Sequence, residues 1–87
     1  MKIQFLYRPN SEHSRLVDEY AHEFKIRRNT AIEMIDIDGR DGSSLARLYG
    51  VMAYPAILVT KEGGELVASW QGTDLPLMDE LAAYANL

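Results

Sequence analysis

The chain has 87 residues, 47% of them hydrophobic and 25% charged, which gives room for a single domain over residues 1–87 with the composition of an average soluble globular protein. Its net charge of −4 argues against non-specific binding to nucleic acid, for which a basic stripe is expected. It contains no cysteine, which excludes disulfides, cysteine-ligated zinc, iron–sulfur clusters and every mechanism that runs through a thiolate.

From the N-terminus, Lys2 and Gln4 alternate with Ile3, Phe5 and Tyr7, the pattern of a strand with one well-buried face. Pro9 ends it, and Asn10 or Ser11 is placed to cap a helix. From Ser11 to about Arg28 the period becomes helical, with Leu16, Val17, Tyr20, Ala21 and Phe24 forming one apolar stripe. Glu12 falls in the first turn and Lys25, Arg27 and Arg28 in the last, as the helix dipole favours. Ala31–Ile37 alternates again as a second strand, and Asp38–Gly42 has turn composition. A short helix then carries Leu45, Leu48 and Tyr49 on one side, with Gly50 placed to close it in a left-handed conformation.

The continuous apolar run Ala56–Val59 predicts a central strand covered on both faces. Lys61–Gly64 is a tight turn, and Glu65–Gln71 is the returning strand of a hairpin. Gly72, Thr73 and Asp74 are read as the cap of a last helix, with Pro76 in its first turn and Leu77, Met78, Leu81, Ala82 and Tyr84 along its apolar stripe. The expected order is β-α-β-α-β-β-α, an α/β domain with helices packed around one mixed sheet. No apolar run approaches the ~18 residues of a membrane span. The first residues, Met1 to Phe5, lack the apolar stretch of a secretory signal, so a cytoplasmic location is expected.

The series Ile35–Asp38, Leu45–Val51, Ala53-Tyr54-Pro55, the apolar strand, the Gly63-Gly64 hairpin and Gly72 resembles the C-terminal two-thirds of thioredoxins. Phe5–Asn10 resembles the approach to the Cys-x-x-Cys motif in the smaller glutaredoxins. The resemblance implies a thioredoxin-like fold with a four-stranded mixed sheet flanked by helices. It implies a cis peptide bond between Tyr54 and Pro55, and it puts Ser11-Glu12-His13-Ser14 where the family has Cys-x-x-Cys. Serine at both positions is either native or the product of engineered replacement. The chain departs from thioredoxins at Pro9-Asn10, where their tryptophan would precede the motif, and at Tyr54, which is bulkier than the usual residue before the proline.

Disulfide exchange needs a thiolate that attacks sulfur and later leaves. A serine hydroxyl is several orders of magnitude less acidic than a thiol, and a helix dipole contributes only about 1 kcal/mol toward ionising it. No redox enzyme is expected. A Ser–His hydrolase is disfavoured too, because residues two apart on a helix diverge and no Gly-x-Ser-x-Gly elbow is present. Asp36–Gly42 is acidic, but Arg40 falls where a calcium loop needs an oxygen ligand, so no metal and no cofactor are expected. His13 and His22 lack the spacing for a joint metal site.

What the resemblance leaves is a groove formed by Arg8, Asn10, Ser11, His13, Ser14, Tyr54, Pro55, Gly72 and Thr73. The expected function is redox-inactive capture of a protein or peptide partner by backbone pairing. The alternatives are a glutathione-type small-ligand binder of glutaredoxin kind, and a thiol–disulfide oxidoreductase whose cysteines were engineered to serine.

Overall fold

The computed structural model describes residues 1–86. Its elements run β1 (Lys2–Tyr7), α1 (Ser14–Arg28), β2 (Glu33–Asp36), α2 (Arg40–Leu48), β3 (Ala56–Thr60), β4 (Leu66–Gln71) and α3 (Met78–Tyr84). They follow the order expected from the periodicity. The sheet order is β2-β1-β3-β4, with β2 parallel to β1 and the other two pairs antiparallel.

Strand alternation divides the interior into two cores. Ile3, Phe5, Ile57 and Val59 face one way and meet Val17 and Phe24 of α1 and Leu81 and Ala82 of α3. Leu6, Ala56 and Leu58 face the other way and meet Ala46 of α2 together with Ile37 and Val51. All five residues of β3 are buried, as a strand covered on both faces requires. Each large side chain removed from water here contributes about 1.5–3 kcal/mol, so the two faces of β1 and β3 hold the domain together.

The helix boundaries depart from the sequence reading, each for a local reason. α1 starts at Ser14 rather than Ser11 because Asn10 adopts a left-handed backbone, φ 61°, and Ser11 bonds backward to Arg8 instead of forward into the helix. Neither residue caps it, and Glu12 lies outside its first turn. α2 starts at Arg40, so Asp41 and Gly42 are helical and not part of a turn.

α3 starts at Met78, four residues beyond the proposed Thr73–Asp74 cap, because Leu77 is extended, with φ −61° and ψ 147°, so Pro76 precedes the helix and does not lie in its first turn. Leu48 and Leu77, read as stripe residues, are 71% and 78% exposed. Gly50 does close α2. With φ +65° it allows Gly50 N–H to reach the Arg47 carbonyl and Val51 N–H to reach the Ala46 carbonyl at 2.8 Å, a Schellman closure sealed by the Val51–Ala46 contact in the second core.

Tyr20 fastens the segment leading into α3. Its ring meets Phe5 edge-on, with centroids 5.9 Å apart, and its hydroxyl donates to the Pro76 carbonyl at 2.8 Å. Burial, followed by the Glu80 carboxylate, pushes the phenol up to about 12. The folded protein therefore holds this proton more tightly than the unfolded chain, whose tyrosine titrates near 10. The contribution is complete below pH 10 and is lost as pH rises toward 12. Alkaline titration followed by circular dichroism should show stability falling across that window, and Tyr20→Phe should flatten this part of the profile.

Candidate functional site

The sheet register brings the resembling segments to one end of the molecule. Leu6 pairs with Ala56 and Tyr7 with Asp36, while Ala56 also pairs with Gln71. The chain leaving β1 at Arg8, the turn after β2, the Tyr54-Pro55 entry to β3 and the exit of β4 at Gly72 therefore share one edge of the sheet. β1 and β2 are the parallel pair, and the helices that follow them pack on opposite faces of the sheet, the position where crevices open in α/β sheets.

Residues 8–14 form a turn closed by their own polar groups. Ser11 Oγ donates to the Arg8 carbonyl at 2.5 Å, and Ser14 Oγ donates to the Ser11 carbonyl at 2.9 Å. His13 Nε2 accepts from the Arg8 N–H at 3.1 Å. Both hydroxyl protons are thus committed to backbone carbonyls, and the imidazole nitrogen that a serine nucleophile would need is occupied by a backbone amide. The arrangement has no activated nucleophile.

The Arg8 side chain bonds Asp38 through Nε and Nη2, at 3.1 and 3.4 Å, and so ties this turn to the one after β2. Both partners are more than half exposed, so the pair orients the loops rather than stabilising the fold appreciably. Tyr7, half-buried beside them, has its phenol raised above the ordinary value by burial, then by the Asp18 and Asp36 carboxylates, and stays a neutral donor.

The Tyr54–Pro55 peptide bond is cis. Pro55 is buried, and its carbonyl accepts from Gly72 N–H at 2.8 Å, where Gly72 has φ +94°. Tyr54 is half-buried against the second core. The Gln71 side chain, absent from the sequence-derived groove, holds the approach to it: its Oε1 accepts from the N–H groups of both Met52 and Ala53, at 2.8 and 3.1 Å. Among the described residues, neither the N–H nor the C=O of Tyr54 has a hydrogen-bond partner.

The structure joins Arg8, Ser11, His13 and Ser14 by hydrogen bonds, and Pro55 with Gly72 by another. Asn10 contributes its left-handed backbone, and Thr73 is exposed. No hydrogen bond links the two serines to Tyr54 or Thr73 among the described residues. A groove of about 870 Å³ lies elsewhere, between β2 and α2. At the sheet end it is the Tyr54 backbone, with a donor and an acceptor unpaired among the described residues, that is open to a ligand.

No family model matches the chain, and no curated protein sequence does. Solved structures do. Thioredoxin 1 from the thermophilic eubacterium Thermosipho africanus matches 99% of this chain and 91% of its own, with a TM-score of 0.68 at 13% identity. A chain from the complex of ferredoxin:thioredoxin reductase with thioredoxin f2 matches over 98% of this chain and 76% of its own, with a TM-score of 0.64 at 18% identity. A thioredoxin-like protein matches over 95% and 99%, with a TM-score of 0.56 at 19% identity. The fold is thioredoxin-like, its four-stranded mixed sheet flanked by three helices, and it is built here without a cysteine.

Proposed function

We propose that this chain is a redox-inactive thioredoxin-like binding domain that takes an extended segment of a partner protein across the sheet end at Tyr54-Pro55. The absence of cysteine removes thiol–disulfide exchange, and the commitment of Ser11, His13 and Ser14 to local hydrogen bonds leaves no activated serine. The observation that carries the reading is the unpaired backbone of Tyr54: a donor and an acceptor on one residue, held in place by the Gln71 clamp before it and the Pro55–Gly72 bond after it. An extended peptide saturates such a pair with two hydrogen bonds, as an added strand does. The likeness to a chain from a thioredoxin–reductase complex is in keeping with a protein partner.

The test is a peptide-array search with the whole chain, followed by affinity measurement on the strongest ligand. Tyr54→Ala and His13→Ala should each weaken binding about tenfold or more, equivalent to ~1.4 kcal/mol, with the fold retained by circular dichroism. Undiminished binding in both variants, together with a Tyr54 amide that does not shift when the ligand is added, would overturn the site. A parallel NMR titration with glutathione separates the small-ligand alternative, which requires amide shifts at Ser11, Tyr54 and Thr73.

A further inference from the structure

β2 is an edge strand, and the β1 ladder fixes which of its backbone groups lie open. Ile37 N–H donates to the Tyr7 carbonyl, so by strand alternation Ile35 and Ile37 turn their peptide groups toward β1, and Met34 and Asp36 turn theirs away. The Asp36 carbonyl is taken by Gly39 N–H at 3.1 Å. Among the described residues, the N–H and C=O of Met34 and the N–H of Asp36 remain as a free row, the template that edge strands present to an added chain.

Beside this row runs the groove of about 870 Å³, floored by Ile35 and Leu45 and rimmed by Leu48, which is 71% exposed. Its charged lining residues are Glu33, Asp36 and Asp41 against Arg40 alone, an excess of two negative charges.

The charges choose the occupant. β2 reads Glu33-Met34-Ile35-Asp36, acidic at both ends. A second copy added along this edge would bring the same groove, with its excess of two negative charges, against itself, each copy carrying a net charge of −4. Like charges brought together across an added strand are destabilising, so the edge opposes self-association. A strand of the opposite sign meets no such penalty.

We infer that the β2 edge and the groove against α2 form a docking surface for an extended segment of a partner protein, with an apolar residue flanked by basic residues at two-residue spacing. Period-two alternation seats the apolar side chain over Ile35 and Leu45 and brings the flanking cations toward Glu33 and Asp41. Four β2 residues span roughly 13 Å, enough for a segment of four or five residues. The surface is separate from the one at Tyr54 and stands or falls independently of it.

The probe is the blocked pentapeptide Lys-Thr-Val-Thr-Arg, titrated to millimolar concentration into the ¹⁵N-labelled chain, with Glu-Thr-Val-Thr-Asp as its counterpart. The basic peptide should shift the amides of Met34, Ile35, Asp36, Leu45 and Leu48, and the acidic one should leave them in place. Met34→Pro removes an outward N–H without breaking the β1 ladder, so it should abolish these shifts while the Phe5 and Leu58 signals persist. Should that variant fail to fold, Glu33→Lys combined with Asp41→Lys decides: the basic peptide should then bind at least tenfold more weakly and the acidic one should replace it. Indifference to this charge swap, absence of shifts with the basic peptide, shifts confined to Tyr54 and Gly72, or sedimentation as a dimer through β2 would each overturn the assignment.

Discussion

Replacing Gly42 with alanine is expected to lower the melting temperature by roughly 10 °C, although alanine is the better helix former. Gly42 is buried in the first turn of α2, where the helix passes directly over the end of β2. A Cβ there would lie 2.8 Å from the Asp36 carbonyl carbon and 3.0 Å from Ile37 Cα, and closer still to the Asp36 oxygen. These are backbone atoms, so no rotamer change relieves the overlap. Overpacking of this kind costs about 1–3 kcal/mol, occasionally more, and the overlap with backbone puts this site at the upper end. Alanine's helical advantage returns at most ~1 kcal/mol, leaving a net loss of about 2 kcal/mol. Thermal unfolding followed by circular dichroism measures it. A melting temperature equal to or above that of the parent would contradict the close approach of α2 to β2.

Phe5→Ala should have a larger effect, enough to leave much of the population unfolded at physiological temperature. Phe5 is fully buried in the central strand, where it packs with Val17 and Phe24 of α1 and Ile57 of β3 and meets Tyr20 edge-on. Truncating a buried phenylalanine to alanine costs about 3–5 kcal/mol through lost transfer energy and the cavity left behind. A domain of this size has little more than that to lose, since total stabilities begin near ~5 kcal/mol. Urea titration should show the midpoint collapse, whereas Phe5→Leu, which keeps most of the volume, should retain a cooperative transition. A loss below about 1 kcal/mol for the alanine variant would show that the first core repacks freely.

The strands were legible because their signals are local. The unbroken apolar run from Ala56 records a strand covered on both faces, and burial follows it. Alternation in Lys2–Tyr7 records the face of Ile3 and Phe5, but Gln4 and Leu6 on the other face are buried as well. The helix starts were less legible because competing interactions there are decided by atoms the pattern does not contain. Ser11 has the chemistry of a cap, but its hydroxyl finds the Arg8 carbonyl first. Asp41-Gly42 has the composition of a turn, but the glycine is needed for contact with Asp36.

Leu48 fits a helical stripe and yet projects outward at the end of α2, beside a groove that only the assembled edge creates. In the site, the serines, His13, Tyr54 and Pro55 were marked by family resemblance. The Arg8–Asp38 pair joins residues thirty apart, and the Gln71 clamp acts on backbone amides, so neither leaves a trace in residue spacing.

That clamp also sets how the presented loop answers to its surroundings. The oxygen that receives Met52 and Ala53 belongs to a carboxamide, which neither gains nor loses a proton over the range in which proteins stay folded. A carboxylate in the same place would accept the two amides more strongly, but it would release them in acid. With glutamine there, the posture of the strand entry is indifferent to acidification, so any acid sensitivity in recognition must originate in the visiting chain or in other side chains around it.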